Sequence, residues 1–395
     1  MRIAIVAPMD PRTGISNYSE TLAIELLKLG QNVDIVSPEN SENTNLTREK
    51  RMKHVKPKDY TVDDYDVTHF QLANSPLHEF QIHLLNNHKK DLITNPNIIT
   101  TVHDARNFDV FNFKCSKCIS FGLSLPESPL TYPHDIVDRG FQRVSNMLLF
   151  HNNSAINEYQ TRYKLEKGIS RRVLHPAYRI PGSNIVNDED KSEIKTFLAP
   201  GYISPFKGQD ILIKAAAEVE MDFKLVLMGK ILDNEYEEYL NNLVEKYELE
   251  DKVEFLGFVS PEEFIMNIDN AEAVLVPRLT SPWLLKKPLF RLRRYLGLDI
   301  LINQSTSGVL TKALASGKPV ICSENQGFAD YVHDDMGVMC NDQRESWSNA
   351  IKYILTNPNK VKEMSVNSKR FADSVLNPSK IAEEHLKFYR ELIEK

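Results

Sequence analysis

The sequence predicts an α/β protein made of two doubly wound, Rossmann-like domains, and three observations predict it. Short apolar runs alternate with amphipathic helical stretches, which is the pattern of parallel βαβ units. The alternation halts at a polar stretch and restarts at TFLAPGYI (196–203). At 395 residues the chain is also longer than one hydrophobic core usually supports.

In the first half the expected strands are RIAIVAP, NVDIVSP, DVTHF, NIITTVHD, NMLLFHN and RRVLHP, with helices over Asn17–Leu29 and Ala155–Tyr163. Each run is short, rich in β-branched or aromatic residues and closed by a polar or proline residue. Arg179–Glu193 is polar, with Pro181, Gly182 and an acidic cluster, so it suits a boundary. The second half repeats the rhythm: TFLAPGYI, helix Gln209–Val219, FKLVLMG, helix Glu235–Tyr247, KVEFLG, helix Pro261–Asn267, EAVLVP and PVICSE. The expected domains are 1–178, 179–377, and a C-terminal helical segment, 378–395, apolar at helical spacing.

Composition narrows the function classes. A net charge of −6 argues against general nucleic-acid affinity, which rests on clustered basic residues. Four cysteines are too few for a disulfide scaffold. Cys115 and Cys118 form a lone C-x-x-C without a second pair to complete a zinc site, and read as ordinary thiols, a loop staple or a redox or metal pair. No run of eighteen apolar residues and no secretory pattern occurs, so the expected location is cytosolic. No G-x-G-x-x-G follows a strand, no Walker loop is present and no G-x-S-x-G elbow occurs, which disfavours dehydrogenase, P-loop and hydrolase chemistry.

Two stretches carry the chemistry. APGYISPFKGQD (199–210) reads as a strand ending at a glycine, then a loop with Lys207. GVLTKALASGKP (308–319) reads as a helix of small residues with a stop before the next strand. Close main-chain approach at a glycine, a point charge and a helix N-terminus are what a diphosphate needs.

These residues also carry a family resemblance. SPFKGQDILIKAA resembles the start of the C-terminal domain of retaining, nucleotide-sugar-dependent glycosyltransferases of the GT-B class. GVLTKALASGKPVICSENQGFADYV resembles their donor-site helix and the loop behind it. PRTGISNYSETLA is similar to their first loop and helix, and DVTHFQLANSPLH, TVHD and LLFHNNSA to later strand ends of the N-terminal domain. The resemblance spans nearly the whole chain. It implies a GT-B fold with two domains facing across a cleft, a terminal helix crossing back to the first, and transfer from a nucleotide diphosphate-sugar to a hydroxyl acceptor with retention. The acceptor would be a saccharide or lipid-linked saccharide. No D-x-D is placed to hold a metal, so neither metal nor cofactor is expected.

The resemblance implies Gly14, Gly201, Tyr202, Lys207, Gln304, Ser307, Gly308 and Lys312 as donor-side residues, and His103, His151 and Lys207 as catalytic ones. His69, Gln71, Asn74, His78 and Asp104 fall on the acceptor side. The family normally has an arginine after the strand-end glycine, where this chain has Tyr202, and two glutamates where it has Gln304 and Lys312. Lys312 would return a positive charge, or is simply a surface lysine, and Gln304 can still bond a sugar hydroxyl. Ser307 caps a helix in either case; anion binding there is the added reading. Gly14 is either a glycine needed for its backbone freedom or a plain turn residue. Loss of three donor-site residues keeps a second reading open, a catalytically inactive homologue acting as a binding or scaffolding partner.

One segment breaks the rhythm. TSPWLLKKPLFRLRRYLGL (280–298) carries five basic residues and no acid among aromatic and leucine residues. It is either an insertion or lid packed on the C-terminal domain, or a contact with an anionic membrane. In the second case Lys286, Lys287, Arg291, Arg293 and Arg294 meet headgroups, while Trp283, Leu284, Leu285, Leu289 and Phe290 insert.

Overall fold

The computed structural model describes residues 1–9, 13–38, 52–72, 79–94, 97–103, 135–163, 169–177, 194–279, 281–287 and 306–394. Asn74, His78, Asp104, Cys115, Cys118, Gln304, 288–298 and the polar stretch 179–193 lie outside these residues. The chain divides into two compact units. One comprises Met1–Pro176, Gln304–Thr306 and Asn377–Lys395, the other Ala177–Asn303 and Ser307–Leu376.

The first unit holds β1 (Arg2–Val6), α1 (Gly14–Lys28), β2 (Asn32–Val36), β3 (Lys53–Val55), β4 (Val67–Leu72), α2 (Glu79–Asn87), α3 (Lys89–Thr94), β5 (Ile98–Val102), α4 (Asp135–Val144), β6 (Met147–Phe150), α5 (Asn153–Tyr163) and β7 (Ser170–Arg172). The strands form one parallel sheet in the order β3-β2-β1-β4-β5-β6-β7. β4, β5 and β6 are buried at every position, because helices cover both faces of a parallel sheet. The last helix, Pro378–Ile393, is α12 in the count that follows, and it packs on α1 within this unit. Its buried Ile381, Ala382, Leu386, Tyr389 and Leu392 join the core formed by β1 and α1.

The second unit holds β8 (Lys195–Pro200), α6 (Gln209–Ala216), β9 (Phe223–Met228), α7 (Asn234–Lys246), β10 (Val253–Gly257), α8 (Pro261–Asn270), β11 (Ala273–Val276), α9 (Gly308–Ala315), β12 (Val320–Ser323), β13 (Gly337–Cys340), α10 (Arg344–Thr356) and α11 (Pro358–Ser374). Its sheet is parallel in the order β10-β9-β8-β11-β12-β13. α8 begins with a reciprocal capping box. Ser260 accepts from the Glu263 amide, and the Glu263 carboxylate accepts from the Ser260 amide.

Several elements depart from the sequence expectation. α1 starts at Gly14 rather than Asn17, because Thr13 takes the cap and its hydroxyl accepts from Ser16 N at 3.3 Å. β3 went unseen because Lys53-His54-Val55 has no apolar run to announce it. β13 also went unseen, although its Gly337 lets the chain approach β12 so closely that a Cβ would lie 2.2 Å from the Val320 carbonyl oxygen.

The sharpest backbone constraint joins the ends of β8 and β9. Gly229 has φ +146°, and a Cβ there would stand 2.0 Å from the carbonyl oxygen of Gly201. Both the conformation and the contact exclude a side chain. Gly229→Ala should therefore destabilise the second unit by about 2–4 kcal/mol, since strain and overlap add. Urea unfolding checks it, and a change within experimental error would refute the constraint.

Candidate functional site

In each sheet the order reverses once, between β1 and β4 in the first and between β8 and β11 in the second. Open parallel sheets bind ligands beyond the carboxyl ends of the strands flanking such a reversal. In both units several of the described residues singled out from sequence lie at those ends.

In the second unit Gly201 directly follows β8, and its φ of +118° is open to glycine and strained for other residues. A Cβ at Gly201 would lie 3.7 Å from Val309 Cγ2, so the exit of β8 stands against the first turn of α9. Tyr202 follows with an exposed phenol, 41% accessible, where the resembling family has an arginine. The chain then turns, with Lys207 N donating to Ser204 O at 3.0 Å, and Gly208 begins α6 in the left-handed region at φ +66°. A Cβ at Gly208 would crowd Pro277 and Leu279, each at 3.2 Å. The loop carrying half-buried Lys207 is thus packed on the loop leaving β11, across the strand reversal.

α9 presents an N-terminus at the same edge. Ser307 occupies the cap position, and its carbonyl accepts from Thr311 N at 3.3 Å, but its hydroxyl closes no capping bond. Capping by the side chain therefore does not account for this serine. Gly308 is the first helical residue. Lys312, one turn on, lies over the Phe264 ring of α8 with Nζ 5.0 Å from the centroid. Burial pushes its ammonium down to about 8, because leaving water disfavours the charged form. Lys312 is thus half-buried rather than fully exposed.

Sequence reasoning missed Arg278. It stands two residues beyond β11 at the strand reversal, buried, with its amide donating to Ser323 Oγ at 2.7 Å and its guanidinium 5.5 Å from the Phe328 ring centroid. The signal was a single basic residue directly after an apolar strand, at an edge where ligands bind.

In the first unit the polar residues of β4, β5 and β6 meet in one network. His151 Nδ1 donates to Val173 O at 3.0 Å, and its Nε2 lies 3.0 Å from His103 Nδ1. His103 Nε2 is 2.7 Å from the Gln71 amide, whose other end is 3.2 Å from His69 Nε2. His69 also meets Thr101 Oγ1 and the Tyr389 hydroxyl of α12, each at 2.7 Å. Tyr18 of α1 packs its ring against His103, His151 and His175, and its hydroxyl donates to His385 Nε2 at 2.9 Å, the Nδ1 of that ring donating to Ile381 O. Burial holds His151 and His385 at about 4 and His69 well below its ordinary value, so all three are neutral at pH 7.

Three expectations need correction. His69 and Gln71 are wholly buried, so they do not face an acceptor directly. Their polar atoms support His103, the half-buried outer member of the run. Gly14 has no positive φ, and a Cβ there would meet nothing within 4 Å among the described residues, so backbone freedom is not why it is glycine. Trp283 and Leu284 belong to the core of the second unit, which removes them from any membrane insertion. Lys287 pairs with Glu235 at 2.6 Å and lies over Trp283, while Lys286 lies over Tyr239. Among the described residues no helix is long and apolar enough to cross a membrane.

Residues 184–371 match the family described as glycosyl transferases group 1. No curated protein matches the chain in sequence. Solved structures with the same fold include sucrose-phosphate synthase from Thermosynechococcus elongatus, 15% identical, with a TM-score of 0.70 over 100% of this chain and 99% of that one. HepE from Anabaena, solved with UDP and glucose, is 13% identical with a TM-score of 0.66 over 99% and 100% of the two chains. AviGT4, a glycosyltransferase of avilamycin A biosynthesis, is 16% identical with a TM-score of 0.63 over 100% and 98%. With its two parallel sheets the chain has the GT-B fold of these structures, and its residues 184–371 match the group 1 glycosyl transferases.

Proposed function

We propose that the protein transfers a sugar, with retention and without a metal, from a nucleotide diphosphate-sugar to the hydroxyl of a saccharide or lipid-linked saccharide, in the cytoplasm. The observation that carries this reading is the β8 exit: Gly201 against the first turn of α9, with Lys207 and Gly208 packed on the β11 loop. That edge supplies close backbone approach, the amides of an N-terminus without a side-chain cap, and cations. HepE, which shares the fold, holds UDP and glucose, and this supports the same ligand class here.

The leaving diphosphate carries the charge that develops as the bond to the sugar breaks, and preorganised donors and cations stabilise it. Lys207 and the Ser307–Gly308 helix start would hold the diphosphate, Lys312 and Arg278 would add positive charge, and Gln304 would bond sugar or nucleotide. His103, positioned by the buried network, would serve the sugar and acceptor side together with His151 and Asp104, and Asn74 and His78 would face the acceptor. A membrane contact would rest on Arg291, Arg293 and Arg294 and the apolar residues beside them.

The second reading, an inactive homologue that binds a partner, draws on Tyr202, Gln304 and Lys312 standing where the family has an arginine and two glutamates. Release of nucleotide diphosphate from a sugar donor by the wild-type chain excludes it; tight donor binding without turnover supports it.

A charge-assisted phosphate contact contributes roughly 1.5–3 kcal/mol, so Lys207→Ala should weaken UDP binding by about one to two orders of magnitude in calorimetry. Unchanged affinity in a folded variant would remove Lys207 from the site.

Lys312 gives a second check with a definite sign. Its ammonium is held down to about 8, so above that pH the free protein carries it largely neutral. A diphosphate nearby favours the charged form and raises the value. UDP binding near pH 8.5 should therefore take up protons, seen as a dependence of binding heat on buffer ionisation enthalpy, and Lys312→Met should abolish the uptake. Equal uptake in the variant would place Lys312 away from the phosphates.

A further inference from the structure

Lys207 sits on a loop that is braced from behind by a buried polar group. Asp210, two residues past Gly208 in the first turn of α6, is 2% exposed. A buried carboxylate is costly unless its charge is paired and its oxygens are bonded. Lys214 Nζ donates to its Oδ2 at 2.9 Å, and the Tyr236 hydroxyl of α7 donates to its Oδ1 at 3.2 Å. Burial and the neighbouring carboxylate push the Tyr236 phenol far up, so it remains a donor at neutral pH. The start of α6 has no side-chain cap at Gly208; Tyr236 instead holds its first turn through Asp210.

Tyr236 has a second contact. Its wholly buried ring stands edge-on to the Trp283 indole, with centroids 5.4 Å apart. Trp283 lies in the short 3₁₀ turn Pro282–Lys286, which follows β11. That turn is also joined to the Lys207 loop directly, because Ser281 N donates to Pro205 O at 2.6 Å. The loop is therefore held at its end by Gly208 and α6, and at its middle by Ser281. Tyr236 touches both supports.

We infer that Tyr236 is a positioning residue for Lys207. Through Asp210 and Trp283 it holds α6 and the 281–287 segment in one arrangement, and these two set the loop from Ser204 to Gly208. The consequence for the donor rests on the transferase reading above; the link between the two supports does not.

Tyr236→Phe removes the hydroxyl and keeps the ring. In the free full-length chain, hydrogen exchange read by mass spectrometry should rise about tenfold in peptides covering 204–208 and 281–287. Peptides covering β9 and β10 should keep their protection. Exchange rising equally everywhere, as general destabilisation gives, or rising at neither segment, overturns the inference. Trp283→Phe thins the packing from the other side and should loosen 204–208 as well; unchanged protection there also overturns it.

UDP affinity in calorimetry supplies a double-mutant cycle. Tyr236→Phe alone should weaken UDP binding about fivefold, the scale of one hydrogen bond. In a Lys207→Ala background the same change should leave affinity within about twofold, because the group it positions is gone. An equal loss in both backgrounds would mean that Tyr236 does not act through Lys207, and overturns the inference. A wild-type chain that binds no UDP counts against the donor-site reading instead, and the exchange pattern still decides the link.

Discussion

Both sheets are wholly parallel, and that constraint organises everything else. A parallel pair cannot be closed by a tight hairpin, so each crossover runs over a face of the sheet and both faces are buried. The loops leaving the strands then collect at one edge, and the helices that follow point their N-termini toward it. In the second unit this brings Gly201, Lys207, Arg278 and the start of α9 to one strand reversal, although they span more than a hundred positions of sequence.

The first unit meets the same constraint differently. Its strand ends carry histidine, glutamine and threonine into the interior, where unpaired polar groups are costly. They are paired with one another, with Tyr18 and with Tyr389 and His385 of α12. The terminal helix is thus held by apolar packing on α1 and also by hydrogen bonds to the residues that position His103. A change at Tyr389, far from any strand end in sequence, reaches that ring through two intervening side chains.

Much of this was legible in the sequence because it is local. The strand runs, the restart at TFLAPGYI, the glycine after β8 and the lysine loop before α6 are each written in a few adjacent residues. What was not legible is non-local. His69 reads as a polar strand residue until Tyr389, 320 positions later, takes its Nδ1. Lys312 reads either as a donor-site cation or as a surface lysine, and its place over the Phe264 ring is set by a residue 48 positions earlier. Trp283 reads equally as a lid residue packed on the C-terminal domain or as a membrane anchor until Tyr236 and Tyr239 are seen to pack on it. Of the two readings of Gly14, special backbone and plain turn residue, the first falls because Thr13 supplies the cap and leaves Gly14 helical.

The central claim is that the carboxyl edge of the second sheet binds a nucleotide diphosphate joined to a sugar. A thermal-shift panel of UDP-, GDP- and ADP-sugars, each at saturating concentration beside its nucleoside mono- and diphosphate, tests it most directly. Ligand at about a hundred times Kd adds about 2.7 kcal/mol of stability, enough to raise Tm by several degrees. The account predicts such a rise with one nucleotide series, larger for the diphosphate and its sugar than for the monophosphate. No rise with any of the three, or an equal rise with monophosphate and diphosphate, would contradict it.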